Sequence, residues 1–126
     1  MTLPPKIMKK ILLVDDDIRI QRLLSEELEE EGYQILIASN GKDALVIINK
    51  PEKPDLVILD LRMPQLSGFE TMKFISKLNI KIPVIIFSAY GTFRNDPMAM
   101  TADAYVVKSS DMTELKQKVR ELISTL

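Results

Sequence analysis

The chain of 126 residues contains no cysteine and no histidine. Without cysteine there is no disulfide framework and no thiol nucleophile. Without histidine there is no imidazole general base, and most zinc sites are excluded. No apolar run approaches the ~18 residues of a membrane span. The start, Met1-Thr2-Leu3-Pro4-Pro5-Lys6, has no long apolar stretch and does not read as a secretory signal. Neither sign of charge dominates: 17 basic residues face 18 acidic ones, for a formal net charge of -1. Such a balance gives no general attraction to nucleic acid or to an anionic membrane. What is present is 46% hydrophobic and 28% charged, the make-up of one soluble domain with a real core. A cytoplasmic protein is the expectation.

Apolar runs and helical periodicities alternate along the chain. Strands are expected at 10–14, 35–38, 56–60, 84–87 and 105–107. Between them, Ile20, Leu23, Leu24 and Leu28 recur at helical spacing in a helix over 18–31 that stops at Gly32. Asn40 can cap a second helix, which ends before Pro51. A third helix runs from Phe69 to Leu78 with Phe69, Met72 and Ile75 inward. The last helix starts at Asp111-Met112-Thr113-Glu114, a capping-box pattern, and turns Leu115, Val119, Leu122, Ile123 and Leu126 inward. Five apolar strands alternating with helices imply an α/β fold, a doubly wound parallel sheet covered on both faces. The flavodoxin-like order 2-1-3-4-5 is one common choice. Helix 4, between strands 4 and 5, is expected to be shortened or irregular. Asp96 caps and Pro97 starts whatever helix forms there, leaving Met98-Ala99-Met100-Thr101, about one turn.

The charged residues sit where such a fold places ligands. Asp15, Asp16 and Asp17 follow strand 1, and Asp60 ends strand 3. In the order 2-1-3-4-5 these strands flank the switch point, and binding sites lie beside it at the carboxyl edge. Clustered carboxylates repel and resist desolvation, so a hard divalent cation is the natural compensation. Ser88 ends strand 4 and Lys108 ends strand 5. Alone, each is an ordinary surface residue. Together with the carboxylates they supply metal ligands, an acceptor, a hydroxyl and an ammonium, the parts phosphoryl transfer needs.

These segments resemble the receiver domain of bacterial response regulators. The resemblance rests on Leu12-Leu13-Val14-Asp15-Asp16-Asp17, Asp60-Leu61-Arg62-Met63-Pro64-Gln65-Leu66-Ser67-Gly68, Phe87-Ser88-Ala89 and Ala102-Asp103-Ala104-Tyr105-Val106-Val107-Lys108. It covers residues 9–126 and leaves 1–8 as a tail. It implies that Asp60 accepts a phosphoryl group from a sensor histidine kinase or a histidine phosphotransfer protein. It implies Mg2+ bound by Asp16, Asp60 and the Arg62 carbonyl, with Asp15 acting through water. Ser88 and Lys108 would contact phosphoryl oxygens, and Ser88 and Tyr105 would move as a switch read by a downstream effector protein or domain. Direct nucleic-acid binding and membrane insertion are not implied. The sequence departs from the family where proline usually follows the lysine: Ser109 and Ser110 stand there.

Two other functions fit part of the pattern. A haloacid dehalogenase-type phosphatase also uses an acidic motif after strand 1, a hydroxyl and a lysine. Against it, no acidic pair follows Lys108 near a strand end, and 126 residues leave no room for a substrate-binding cap. A pseudo-receiver would work by protein contact alone, and the complete acidic set with Ser88 and Lys108 argues against it.

Overall fold

The computed structural model describes residues 8–79 and 81–124. Within them, strands β1 (Lys10–Val14), β2 (Gln34–Ala38), β3 (Leu56–Leu59), β4 (Val84–Ser88) and β5 (Ala104–Val107) form one sheet. All pairings are parallel, in the order β2-β1-β3-β4-β5. Helices α1 (Ile18–Glu30), α2 (Gly41–Ile48), α3 (Gly68–Ile75) and α4 (Thr113–Ser124) connect or follow the strands. This is the doubly wound, flavodoxin-like arrangement expected from the sequence.

The two faces of the sheet explain the unbroken apolar strands. Ile11, Leu13, Ile58, Ile85, Phe87 and Val106 pack against Leu24 and Leu28 of α1 and against Leu115, Val119 and Ile123 of α4. The alternate residues Leu12, Val14, Val57, Leu59 and Val84 pack against Ala44, Ile48, Met72 and Ile75 of α2 and α3. Both faces are dry, so beyond Lys10 at its start no position in β1, β3 or β4 has reason to be polar until the strands end. Lys116 of α4 pairs with Glu27 of α1, and Arg120 pairs with Glu31 at 3.1 Å, joining the two helices at their exposed edges.

Some boundaries differ from expectation. Helix α3 ends at Ile75, and Lys77 and Leu78 continue only as a turn. Leu23 is 38% exposed, so α1 buries a narrower stripe than its spacing suggested. At α4, Asp111 Oδ1 accepts from the Thr113 N–H, while the Asp111 N–H donates to Ser109 Oγ instead of to Glu114. A reciprocal capping box does occur, at Ser67 and Glu70 before α3. Leu126 lies outside the described residues, as does the tail apart from Met8. The Lys108–Ser109 bond is trans.

No regular α-helix forms between β4 and β5. Two short 3-10 turns, Gly91–Phe93 and Ala99–Thr101, occupy the segment. Asp96 Oδ1 accepts from the N–H groups of Met98 and Ala99, at 2.9 and 3.2 Å, in the expected capping role. A small third cluster holds the segment down: Leu61, Ile86 and Ala99, with Phe69, Phe93, Ala102 and Tyr105 around them. Few buried apolar contacts and little helical hydrogen bonding predict low local stability. Amides of residues 91–101 should exchange with solvent at least ~100-fold faster than those of β1, β3 and β4, measured by hydrogen-exchange mass spectrometry. Protection equal to the central strands would contradict this description.

Candidate functional site

Strand register puts four chemistry-bearing residues on one edge of the sheet. Val14 pairs with Leu59, so Asp15 and Asp60 are the next residues on neighbouring strands. Their backbones continue the ladder: the Asp15 N–H donates to Ala38 O at 3.1 Å, and the Asp60 N–H donates to Val14 O at 2.9 Å. Ser88 pairs with Val107, and the Lys108 N–H donates to Ser88 O at 2.7 Å. Asp15, Asp60, Ser88 and Lys108 thus terminate β1, β3, β4 and β5, four adjacent strands.

The site is acidic and mostly shielded from water. Asp15, Asp60 and Ser88 are buried, whereas Asp16 is exposed. One oxygen from each of Asp15, Asp16 and Asp60 lies within 4.8 Å of the others. Lys108 Nζ is 2.7 Å from Asp15 Oδ2 and 3.6 Å from Asp60 Oδ2. The lysine therefore leans on Asp15 more than on the residue expected as acceptor, a pairing that the sequence did not reveal. Burial pushes the Asp60 carboxyl up to about 6. Lys108 opposes the rise, and the charges of Asp15 and Asp16 add to it. Asp17 takes no part in the cluster: it caps α1 through the Arg19 N–H and pairs with the Arg19 guanidinium, which holds its carboxyl below the usual range.

The donor set suits a divalent cation of the hard type. Its ligands are all oxygens, one carboxylate faces solvent where an ion would enter, and one ammonium cannot neutralise three negative charges.

The loop after β3 closes tightly beneath Asp60. The Gly68 N–H donates to Leu61 O at 2.9 Å. A Cβ at Gly68 would stand 2.1 Å from the Asp60 carbonyl oxygen, so no side chain fits there without moving the backbone of Asp60. Gln65 and Leu66 adopt left-handed φ values of 52° and 92°, which brings the chain round in so few residues.

Tyr90 is a junction beside this site. Its N–H donates to Ser88 Oγ at 3.2 Å, and its carbonyl accepts from the Tyr105 hydroxyl. Its ring lies under the Arg62 guanidinium at 4.9 Å and meets Phe93 edge-on at 5.9 Å. Phe93 in turn meets Phe69 edge-on at 5.3 Å. Tyr105 is half-buried, with the Arg94 guanidinium 5.1 Å above its ring. One residue thereby joins Ser88, Tyr105 and the loop after Asp60.

Fold and site together define a doubly wound α/β domain with an acidic cluster and a lysine at its switch point. Residues 11–120 match the response regulator receiver domain family. The chain belongs to that family and is a receiver domain of two-component signalling, which sets aside the phosphatase alternative. It is 38% identical over 117 residues to Sporulation initiation phosphotransferase F of Bacillus subtilis (strain 168), covering 91% of this chain and 94% of that protein. It is 38% identical to the probable transcriptional regulator ycf27 of Porphyra purpurea, covering 91% of this chain and 47% of the regulator. The chain thus spans about half the length of such regulators. Among solved structures, response regulator protein TrrA from Thermotoga maritima in complex with Mg(2+)-BeF is 47% identical with a TM-score of 0.87, covering 91% of this chain and 99% of that one. The complex of histidine kinase ThkA with response regulator protein TrrA gives 46% identity and a TM-score of 0.85, over 92% and 99% of the two chains. Among the described residues no helix is long and apolar enough to cross a membrane.

The raised Asp60 value has a consequence for stability. A carboxyl whose folded value lies above its unfolded one favours folding below about 4, and that contribution is lost as pH rises through about 6. Metal-free protein at pH 7 and above therefore bears a cost, and Asp60→Asn should remove it. We expect the variant to gain on the order of 2 kcal/mol at pH 7.5 in chelator, shrinking towards zero near pH 4. Denaturant unfolding across that range measures it; a variant less stable than wild type at pH 7.5 would contradict the balance of charges described.

Proposed function

We propose that Asp60 accepts a phosphoryl group from the phosphohistidine of a sensor histidine kinase or histidine phosphotransfer protein, with Mg2+ as cofactor, and that the change is read by a downstream effector. The domain that does so spans residues 9–126, with 1–8 as its tail, and works in the cytoplasm. The observation that carries this reading is the position of Lys108 Nζ between two buried carboxylates, 2.7 Å from Asp15 and 3.6 Å from Asp60, at the switch point of the sheet. The relatives support it: TrrA was solved with Mg(2+)-BeF and also in complex with histidine kinase ThkA.

In this mechanism an Asp60 carboxylate oxygen attacks phosphorus. The phosphorus–nitrogen bond breaks and its electron pair returns to the imidazole. Burial raises the Asp60 carboxyl to about 6 in the metal-free form, so at pH 7.5 it is still largely ionised and able to act as the nucleophile. Lys108 shifts its charge from Asp15 towards the incoming oxygens. Ser88 Oγ accepts from the Tyr90 N–H, so its own O–H is free to donate to a phosphoryl oxygen. Asp16, Asp60 and the Arg62 carbonyl would hold Mg2+ directly, and Asp15 through water. When bound, the ion supplies charge neutralisation to the phosphoryl oxygens. Ser88 and Tyr105 act as the switch. As Ser88 turns to the phosphoryl group it loosens the Tyr90 N–H, and Tyr90 carries the acceptor of the Tyr105 hydroxyl.

Incubation with Mg2+ and a small phosphodonor should add one phosphoryl group by intact mass, and Asp60→Ala should abolish it. Undiminished labelling of that variant would sink the assignment.

Arg62, two residues after Asp60, stacks on Tyr90, two residues after Ser88, and neither orients an attacking water as a carboxylate or amide would. Phosphate loss should accelerate several-fold in the Arg62→Ala, Tyr90→Ala double variant, by roughly 3- to 10-fold on that argument. An unchanged decay rate would show that the stack does not restrict water.

A further inference from the structure

We infer that Gln21 is a positioning residue for the metal-ligand turn; the inference rests on the reading above of Asp15, Asp16 and Asp60 as metal ligands. Gln21 lies one turn into α1, and helical side chains lean towards the N-terminus of their helix. Its amide therefore folds back over the turn that follows β1. Gln21 Nε2 donates to the Asp15 carbonyl at 2.7 Å and to Ser39 Oγ at 3.1 Å. One side chain thereby ties together the end of β1, the start of α1 and the residue after β2.

The held atom matters more than the number of bonds. Asp15 is fixed at every polar atom. Its N–H donates to Ala38 O, Oδ1 accepts from the Asp17 N–H at 2.9 Å, Oδ2 meets Lys108, and its carbonyl takes the Gln21 amide. That carbonyl belongs to the peptide joining Asp15 to Asp16. Asp16 itself is exposed, so the plane of this peptide sets where its carboxylate points. With the peptide pinned, Asp16 meets an ion already aimed at it. With the peptide free, the turn must be ordered at the moment of binding, and affinity falls. Partners of this kind, which touch a ligand and not the ion, commonly change metal affinity by 10- to 100-fold.

The test is Mg2+ titration of the full chain by calorimetry, alongside thermal unfolding in chelator. Gln21→Ala should weaken Mg2+ binding about 10-fold, with little change in metal-free unfolding, and Ser39→Ala should weaken it less. Gln21→Glu keeps the shape but replaces the donor with a negative charge. Charge alone would tighten Mg2+ binding; loss of positioning weakens it, and weakening is expected. Wild-type affinity in Gln21→Ala, or tighter binding in Gln21→Glu, would overturn the inference. If wild type binds Mg2+ and Asp16→Asn does not, yet Gln21→Ala matches wild type, only the role of Gln21 fails. If wild type does not bind Mg2+, the ligand reading and this inference fall together.

Discussion

A single ammonium group, Lys108 Nζ, stands between two buried carboxylates at the open edge of the sheet, and much else in the structure follows from that arrangement. Asp15 and Asp60 end adjacent strands whose flanks are apolar on both sides, so water cannot disperse their charge. A buried ion pair of this kind seldom adds net stability, yet removing the one cation from it would leave two buried carboxylates uncompensated, which is severely destabilising. The set is also unbalanced, with three negative groups against one positive. The imbalance shows in the Asp60 carboxyl, pushed up to about 6 with the Lys108 charge already beside it. A site held in that condition has a standing affinity for further positive charge.

The backbone around the site is built to keep the carboxylates in register. Gly68 lets the loop after β3 press against the Asp60 carbonyl, and the Ser67–Glu70 capping box fixes where α3 begins. On the other side, the Gln21 amide and the Asp17 N–H both hold Asp15, the residue before Asp16. The edge at β4 and β5 is constructed differently. There the connection has only 3-10 turns, packed through aromatic rings and two guanidinium groups. The carboxylates are tightly held on one side, and on the other a lightly packed segment carries the hydrogen bonds that run from Ser88 through Tyr90 to Tyr105.

Much of this was legible in the sequence because the fold writes strong one-dimensional signals. Five apolar runs, four of them ending in Asp15, Asp60, Ser88 or Lys108, state both the sheet and the edge where these residues gather. Pro97 after Asp96 foretold the irregular segment, because proline cannot continue a helix from earlier residues. Other features depend on distances that no sequence pattern encodes. That Lys108 sits nearer Asp15 than Asp60 follows from the path of β5 and the reach of one side chain. The narrow stripe of α1, with Leu23 partly exposed although it falls on the helical spacing, is likewise a matter of packing in three dimensions. No sequence pattern singles out Gln21, and only the fold brings its amide back to Asp15. The Ser67–Glu70 box is written in the sequence as a Ser-x-x-Glu pattern that overlaps the end of the Asp60–Gly68 motif.

In the mechanism we propose, charge compensation at this edge holds the domain in its metal-free form and would be handed to Mg2+ on binding. Thermal unfolding of Lys108→Met against Mg2+ concentration at pH 7.5 tests it most directly. The account predicts that the variant is markedly less stable than wild type in chelator, that Mg2+ raises its midpoint more than it raises that of wild type, and that saturating Mg2+ restores most of the loss. A variant as stable as wild type in chelator, or one that Mg2+ fails to rescue, would contradict the account.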